Sequence, residues 1–262
     1  MSAGECQAAL TELAKPVRCV LGPTVRFSTE DRIIPMDPLT KPTSRLRHIL
    51  SFSWAFLALA ASTFAWSTPV DLFPGGSTKG WALLTTPAAS LAGVCHSEPG
   101  GVLWVAGKPS GFLEITPPSQ DYTLHAEWRW PGKPGNGGIL VRISSGPKDG
   151  VWPECYQIQL KHGSVGDILP MAGAPLASLL TSPRGARVPT RAHSAPDSEK
   201  PVGQWNSCDI VCWSDSVEVF VNGVLQNQVT GCQLRNGWLG FQLEGTPFEL
   251  RNVRITRLHG AL

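Results

Sequence analysis

Long apolar runs, charge and helical periodicity are all scarce in this chain, and each shortage excludes something. The longest hydrophobic stretch, residues 49–62, has about fourteen residues, where a membrane-spanning helix needs roughly 20. Charged residues make up only 16% of the chain, and the formal net charge is +2. That balance leaves no concentrated basic patch of the kind that grips nucleic acid. No GxxxxGK[ST] phosphate loop is present. The seven cysteines (Cys6, Cys19, Cys95, Cys155, Cys208, Cys212 and Cys232) include no CxxC pair, so no zinc-type spacing exists. Cys208 and Cys212 share one side of an expected strand but lie too far apart along it to bridge each other. Buried free thiols are expected, with one disulfide among the later five left open in an oxidising compartment.

Turn formers and tryptophan are abundant instead, with 27 Gly, 23 Pro and 10 Trp. Many short strands separated by turns follow from that composition, and one large β domain can hold about 200–250 residues.

Three sections follow from the order of the chain. Arg45, Arg47 and His48 precede the short apolar run, which ends in Thr63, Phe64 and Ala65. A basic flank, a short hydrophobic core and a small-residue exit make residues 44–65 a signal peptide, with an uncleaved anchor as the alternative. Residues 1–43 are expected to be a disordered leader, and a start at Met36 would make the first 35 an upstream artefact. Residues 66–262 form the mature domain. Seven Lys/Arg and five Asp/Glu leave with the leader, which takes the formal charge from +2 to zero. An exported, periplasmic or extracellular domain of this neutrality is no electrostatically steered partner of polyanions. Membrane contact is expected only through the signal segment, and only if it is uncleaved.

The central stretch from Asp121 to Asp167 carries three runs with strand periodicity. Leu124, Ala126, Trp128 and Trp130 oppose His125, Glu127 and Arg129; Ile139, Val141 and Ile143 oppose Leu140 and Arg142; Tyr156, Ile158 and Leu160 oppose Gln157, Gln159 and Lys161. If the three strands are neighbours, one sheet face displays Glu127, Arg129, Arg142, Gln157, Gln159 and Lys161. Such a mixture suits a polyhydroxylated ligand, because each hydroxyl both donates and accepts. The alternative is an ordinary solvated face of an antiparallel sheet.

Elsewhere, Trp81 is expected in the core, and His96 in a solvent-exposed loop. Two strands flank residues 107–111. The stretch from Pro170 to Pro201 has no periodicity and is expected to be irregular; His193, Arg184, Arg187 and Arg191 within it could reach over a cleft, with solvation the expected role of each. Asn222-Gly223 is the strongest hairpin signal, so that Asn is a turn residue. Gln242 and Glu244 alternate with Phe241 and Leu243, and Glu249 is expected to be exposed.

Seven segments in order, LFPGGSTKGW, GKPSGFLEI, DYTLHAEWRWPGKPGNGGILVRI, WPECYQIQLKHGSVGDI, QWNSCDIVC, VFVNGVLQN and GFQLEGTPFELRNVRI, resemble the 3-keto-disaccharide hydrolase family. The resemblance spans about residues 70 to 258. It implies an all-β, concanavalin A-like jelly-roll β-sandwich of two antiparallel sheets, exported by glycan-degrading bacteria. The implied activity acts on glycosides oxidised to a ketone at sugar C3, by abstraction of the C2 proton, elimination and rehydration. Such a site needs a base, a cation at the enolate oxygen and a proton donor. Glu127, Glu154 or Glu244 is the candidate base, and Arg129, Arg142 or Lys161 the enolate partner. His162 and Asp167 are candidate proton carriers or ligands of a bound cation. Gln157, Gln159 and Gln242, with Arg129, complete the substrate-binding set. The partner implied is a small carbohydrate; no cofactor is certain, and a divalent metal is left open.

Two rivals stand beside that reading. A glycosidase with paired carboxylates would, in the concanavalin-like glucanases, carry an ExDxxE strand, and no such spacing occurs. A non-catalytic sugar-binding module would use the same face with stacking aromatics such as Trp104 or Trp152.

Overall fold

The computed structural model describes residues 68–115 and 120–258; the expectations for the leader and signal segment lie outside them. Fourteen strands, one short α-helix and a single 3-10 turn (Pro74–Gly76) are described: β1 (Val70–Asp71), β2 (Trp81–Thr86), α1 (Leu91–Val94), β3 (Cys95–Glu98), β4 (Val102–Val105), β5 (Ser110–Ile115), β6 (Tyr122–Arg129), β7 (Gly137–Asp149), β8 (Trp152–Gln159), β9 (Ile168–Met171), β10 (Asn206–Trp213), β11 (Ser216–Val221), β12 (Val224–Val229), β13 (Trp238–Leu243) and β14 (Phe248–Arg257). One sheet runs β12-β11-β10-β6-β14-β4-β3, with β1 added beside β14; the other runs β2-β5-β13-β7-β8-β9. Every pairing is antiparallel. This is the jelly-roll sandwich that the resemblance implies. Among the described residues no helix is long and apolar enough to cross a membrane.

Strand alternation builds the core. In β6 Tyr122, Leu124, Ala126 and Trp128 are fully buried, as are Cys208, Ile210 and Cys212 in β10. Across the gap stand Leu113, Ile139, Val141, Tyr156, Ile158, Phe241 and Leu243 of the six-stranded sheet, in the same apolar cluster. Burying one such large side chain contributes about 1.5–3 kcal/mol, so the two apolar faces bind the sheets together. Trp81 sits in this core, stacked on Phe73 at 4.3 Å, with its indole N–H donating to the Leu72 carbonyl. The five described cysteines are buried and free. Burial pushes the Cys212 and Cys232 thiols up to about 11, even with the Arg142 charge drawing them down.

The period-two reading fails at one point, in β7. Arg142 takes φ 56° within an irregularity that shifts the register on both sides. The extra residue inverts the alternation. Leu140 and Ile143 therefore share the outer side with Phe112 and Cys155. Arg142 turns inward and is completely buried, its guanidinium donating to the carbonyls of Leu234 and Ser216. Its expected place on a polar face is corrected: a bulge is invisible to an alternation count.

The long connection after β9 has no regular element, as expected, but it is fastened. Arg191 and Ile168 exchange backbone hydrogen bonds at 2.8 and 2.9 Å, and Asn227 Nδ2 donates to the carbonyls of Gly166 and Arg191. Asn222 and Gly223 both have positive φ, 51° and 81°, as a two-residue hairpin turn requires. Asn222 also ties this hairpin to the connection. Its Nδ2 donates to Ser198 O and Asn206 Oδ1, and its Oδ1 accepts from Ser207 N. Asn222→Ala removes three hydrogen bonds and puts alanine in the left-handed region, a loss of about 2–4 kcal/mol. Urea unfolding will show a lower midpoint at unchanged slope; an unchanged midpoint contradicts the role given to this side chain.

Candidate functional site

The sandwich divides the polar residues between two outer faces. β6 lies in the eight-stranded sheet, whereas β7 and β8 lie in the six-stranded one. Glu127 and Arg129 are therefore on the opposite side of the molecule from Gln157, Gln159 and Lys161. The single shared face expected from the three runs does not exist, because each sheet turns its apolar side to the other and its polar side away.

On the eight-stranded face the charges satisfy one another. Glu127 accepts from Arg251 Nε at 2.6 Å and Asn252 Nδ2 at 2.7 Å. Burial raises its carboxyl, but these bonds, with the charges of Arg251 and His125, outweigh it and hold the group below its ordinary value. Arg129 bonds Glu249, which is 5% exposed rather than the open residue expected at the chain's last strand. The guanidiniums of Arg129 and Arg251 both lie over the Trp205 ring, at 4.7 and 4.1 Å. A carboxylate held low by paired cations is a poor proton acceptor, so this network is a clamp across β6 and β14. His96 is exposed, as expected, but lies in strand β3 rather than a loop, where it pairs with and stacks on Trp104 at 4.6 Å. Glu154 is equally remote from Gln159 and Lys161. It pairs with Lys148 and accepts from Ser144 near the β7–β8 hairpin, about 20 Å along the strand from Lys161.

The outer face of the six-stranded sheet is different. Cross-strand register sets Leu84, Phe112, Gln242, Gly138 and Gln159 in one row, and Ala82, Glu114, Gly240, Leu140, Gln157 and Leu169 in the next. Continuing the alternation past these rows brings Glu244, Asn136 and Lys161 to the same side. Gln157, Gln159 and Gln242 are 1%, 9% and 2% exposed. Gly138 matters here because a Cβ on it would stand 2.7 Å from the Gln157 side chain, which folds across it.

Hydrogen bonds fix the direction of these amides. The Lys161 backbone N–H can only donate, so the Gln159 atom facing it is Oε1. Gln157 Nε2 donates to that same oxygen at 3.0 Å, and Gln157 Oε1 is left without a protein partner. Gln242 Oε1 and Asn136 Oδ1 are likewise buried and unpartnered. Three acceptors on or beside this patch thus lack a protein partner, and each oxygen is shut off from solvent in the free protein.

Two carboxylates border the patch. Burial raises both Glu244 and Glu114 above the ordinary carboxylate range, and the Lys161 charge draws Glu244 partly back. Glu244 and Lys161 are thus electrostatically coupled, yet no ion pair joins them. Their strands flank β7, so their backbones stand about 10 Å apart, enough for a sugar ring between the side chains. Of the expected site residues this face gathers Gln157, Gln159, Lys161, Gln242 and Glu244, with Asp167 at its margin. It leaves out Glu127, Arg129, Arg142 and Glu154.

The two residues of the KHGSVGD loop part company. His162 Nδ1 lies 2.8 Å from Glu199 Oε2, while Asp167 Oδ1 lies 2.6 Å from His193 Nδ1. Among the described residues no three His, Cys, Asp or Glu side chains form a set that could hold a metal ion. His193, for which solvation was expected over a reach across a cleft, is held by Asp167 instead: a lone histidine in an aperiodic loop carries no signal of its partner. A cavity of about 370 Å³ also opens at the far end of β13 from Glu244, lined by Leu72, Pro74, Ile115, Leu239 and Ile255. Its lining is mostly apolar and holds none of the expected site residues.

Known structures share the sandwich. A candidate glycosyl hydrolase from Parabacteroides distasonis ATCC 8503 superposes with a TM-score of 0.54 at 19% identity, over 73% of this chain and 94% of that one. LamAcat from Zobellia galactanivorans gives 0.51 at 14% identity, over 75% and 99%. SCLam, a non-specific endo-β-1,3(4)-glucanase of family GH16, gives 0.52 at 13% identity, over 74% and 91%. At these identities the likeness is one of fold. Comparison with curated protein sequences finds no match. Residues 68–256 match the model of the 3-keto-alpha-glucoside-1,2-lyase-like domain, and the chain belongs to that carbohydrate-active family.

Proposed function

We propose that this protein is an exported enzyme that cleaves 3-keto-glycosides by elimination and rehydration, using the outer face of the six-stranded sheet. The observation that carries the reading is the Glu244–Lys161 pair, coupled across β7 and bordered by Gln157, Gln159 and Gln242. Export rests on the composition of residues 44–65.

The chemistry follows from the ketone. A carbonyl at C3 acidifies the C2 hydrogen, so a carboxylate can remove it and leave an enolate. The enolate expels the C1 substituent without passing through an oxocarbenium ion, and water then adds to the resulting double bond. Glu244 takes the C2 proton; its raised pKa brings it nearer to a working neutral pH than an exposed carboxylate. Lys161 carries the positive charge that meets the developing enolate oxygen. The oxygens of Gln157 and Gln242, unpartnered and shut off from solvent in the free protein, accept from the ring hydroxyls once the amides turn outward, which holds C2 toward the base. A sugar-binding module would use the same acceptors but turn nothing over.

Purified protein mixed with a 3-keto-glucoside tests the reading directly. Substrate loss with release of the free 3-keto sugar is expected; binding without turnover would assign the face to a module instead. Glu244→Gln is expected to lower kcat/KM by about 10²–10⁴-fold. Glu244 works deprotonated, so the rate rises with pH through its folded pKa. Lys161→Met removes the charge that draws this pKa down, so the acidic limb of the pH–rate profile moves to higher pH. A limb that stays in place, or moves lower, contradicts the pairing.

The same shift makes a stability statement. A carboxyl whose folded pKa is raised favours the protonated folded state, so its contribution declines as pH rises from the unfolded value through the folded one. Glu244→Gln is therefore expected to be at least as stable as the parent at pH 7 while losing activity. Thermal unfolding at pH 4 and pH 7 measures this, and a variant selectively destabilised at pH 7 contradicts it.

A further inference from the structure

Three side-chain clusters lie outside the roles given so far. Trp205 between Arg129 and Arg251 belongs to the clamp on the eight-stranded face. Arg142 is sealed in the interior on two carbonyls. The third, Asp167 with His193, is built differently. The His193 ring meets Asp167 Oδ1 at 2.6 Å through Nδ1, and the His193 backbone N–H donates to the same oxygen at 2.8 Å. One carboxylate oxygen thus holds both ring and main chain. A carboxylate on Nδ1 keeps a proton there and leaves Nε2 as the working nitrogen. The side chains are 19% and 13% exposed, so the pair is fixed yet still reaches solvent.

Its position bears on the site. Gln159 N donates to Asp167 O, and Gly166 N donates to Gln159 O, so Asp167 stands directly across from Gln159. Ile168, the next residue, faces the core, and Leu169 lies beside Gln157 on the outer face. Alternation therefore gives Asp167 the outer side and extends the row Gln242, Gly138, Gln159 by one strand. Glu244 lies at one end of this face and the Asp167–His193 pair at the other. Three strand spacings and an offset of two residues along the strand separate them, about 16 Å between backbones, with the side chains reaching inward from both ends toward a sugar ring between base and acid.

We propose that His193 Nε2 protonates the departing glycosidic oxygen, with Asp167 as its positioning residue; this rests on the elimination reading given above. The C2–H bond breaks and its proton passes to Glu244. The C1–O bond breaks, its electron pair stays on the aglycone oxygen, and that oxygen takes the Nε2 proton of the imidazolium. The C2–H electrons form the C1–C2 double bond. In the hydration half, neutral His193 removes a proton from the attacking water, whose oxygen bonds C1; the double-bond electrons return to C2, which takes its proton back from Glu244, so both side chains regain their starting states.

Leaving-group dependence separates an acid from a structural residue. His193→Gln and the parent are compared on methyl and 4-nitrophenyl 3-keto-glucosides, because the nitrophenolate departs without protonation. Loss of about 10²–10⁴-fold on the methyl glycoside and at most a few-fold change on the nitrophenyl one are expected. Asp167→Asn should show the same leaving-group pattern at smaller size. Equal losses on both substrates, or none on the methyl glycoside, overturn the assignment. If the parent cleaves neither substrate, the elimination reading falls by itself. The His193 ¹⁵N imidazole signals then decide whether the pair lies at a ligand face. Movement of Nε2 on adding methyl glucoside supports that placement, and an unmoved signal overturns it.

Discussion

Contact between the two apolar sheet faces governs the rest of this molecule. Trp128, Leu124 and Ile210 from one sheet meet Val141, Tyr156, Ile158 and Phe241 from the other in a single cluster. Once those faces meet, every polar residue that alternates with them must point away, on one of two surfaces that never converge. The same constraint that builds the core therefore decides which chemistry can be assembled.

The two surfaces use polar groups in opposite ways. On the eight-stranded side, carboxylates and guanidiniums cancel: Glu127 with Arg251 and Asn252, Glu249 with Arg129. Such groups stabilise strands and have little left to offer a ligand. On the six-stranded side, amide oxygens are buried without partners and Glu244 is raised rather than lowered. Unspent hydrogen-bonding capacity and a carboxyl held away from its ordinary pKa are what a binding and proton-transfer site needs. The difference lies in pairing, since the residue types are similar.

Alternation made the strands and most of the core legible from sequence, because apolar residues at every second position leave few other arrangements. Trp81 in the core, the Asn222-Gly223 turn and the buried free thiols follow from local chemistry in the same way. Which strands are neighbours was not legible. β6 and β7 are consecutive yet belong to different sheets, and only the long-range pairing of β6 with β10 and β14 shows it. Arg142 was hidden by a bulge, which inserts one residue and reverses the inward and outward positions after it. Asp167 and His193 were hidden by distance along the chain, since their bond depends on Arg191 pairing with Ile168. Family likeness pointed to a carbohydrate-active protein but carried no geometry. Of the eleven expected site residues, Glu127 and Arg129 therefore lie on the opposite face, Arg142 in the interior and Glu154 at a distant hairpin.

The central claim is that saccharide meets the six-stranded face. Hydrogen–deuterium exchange with and without a methyl 3-keto-glucoside, quenched before turnover, tests this most directly. The account predicts slower exchange in peptides spanning residues 157–162 and 240–245. Protection confined to residues 125–129 and 249–252, on the opposite face, would contradict it.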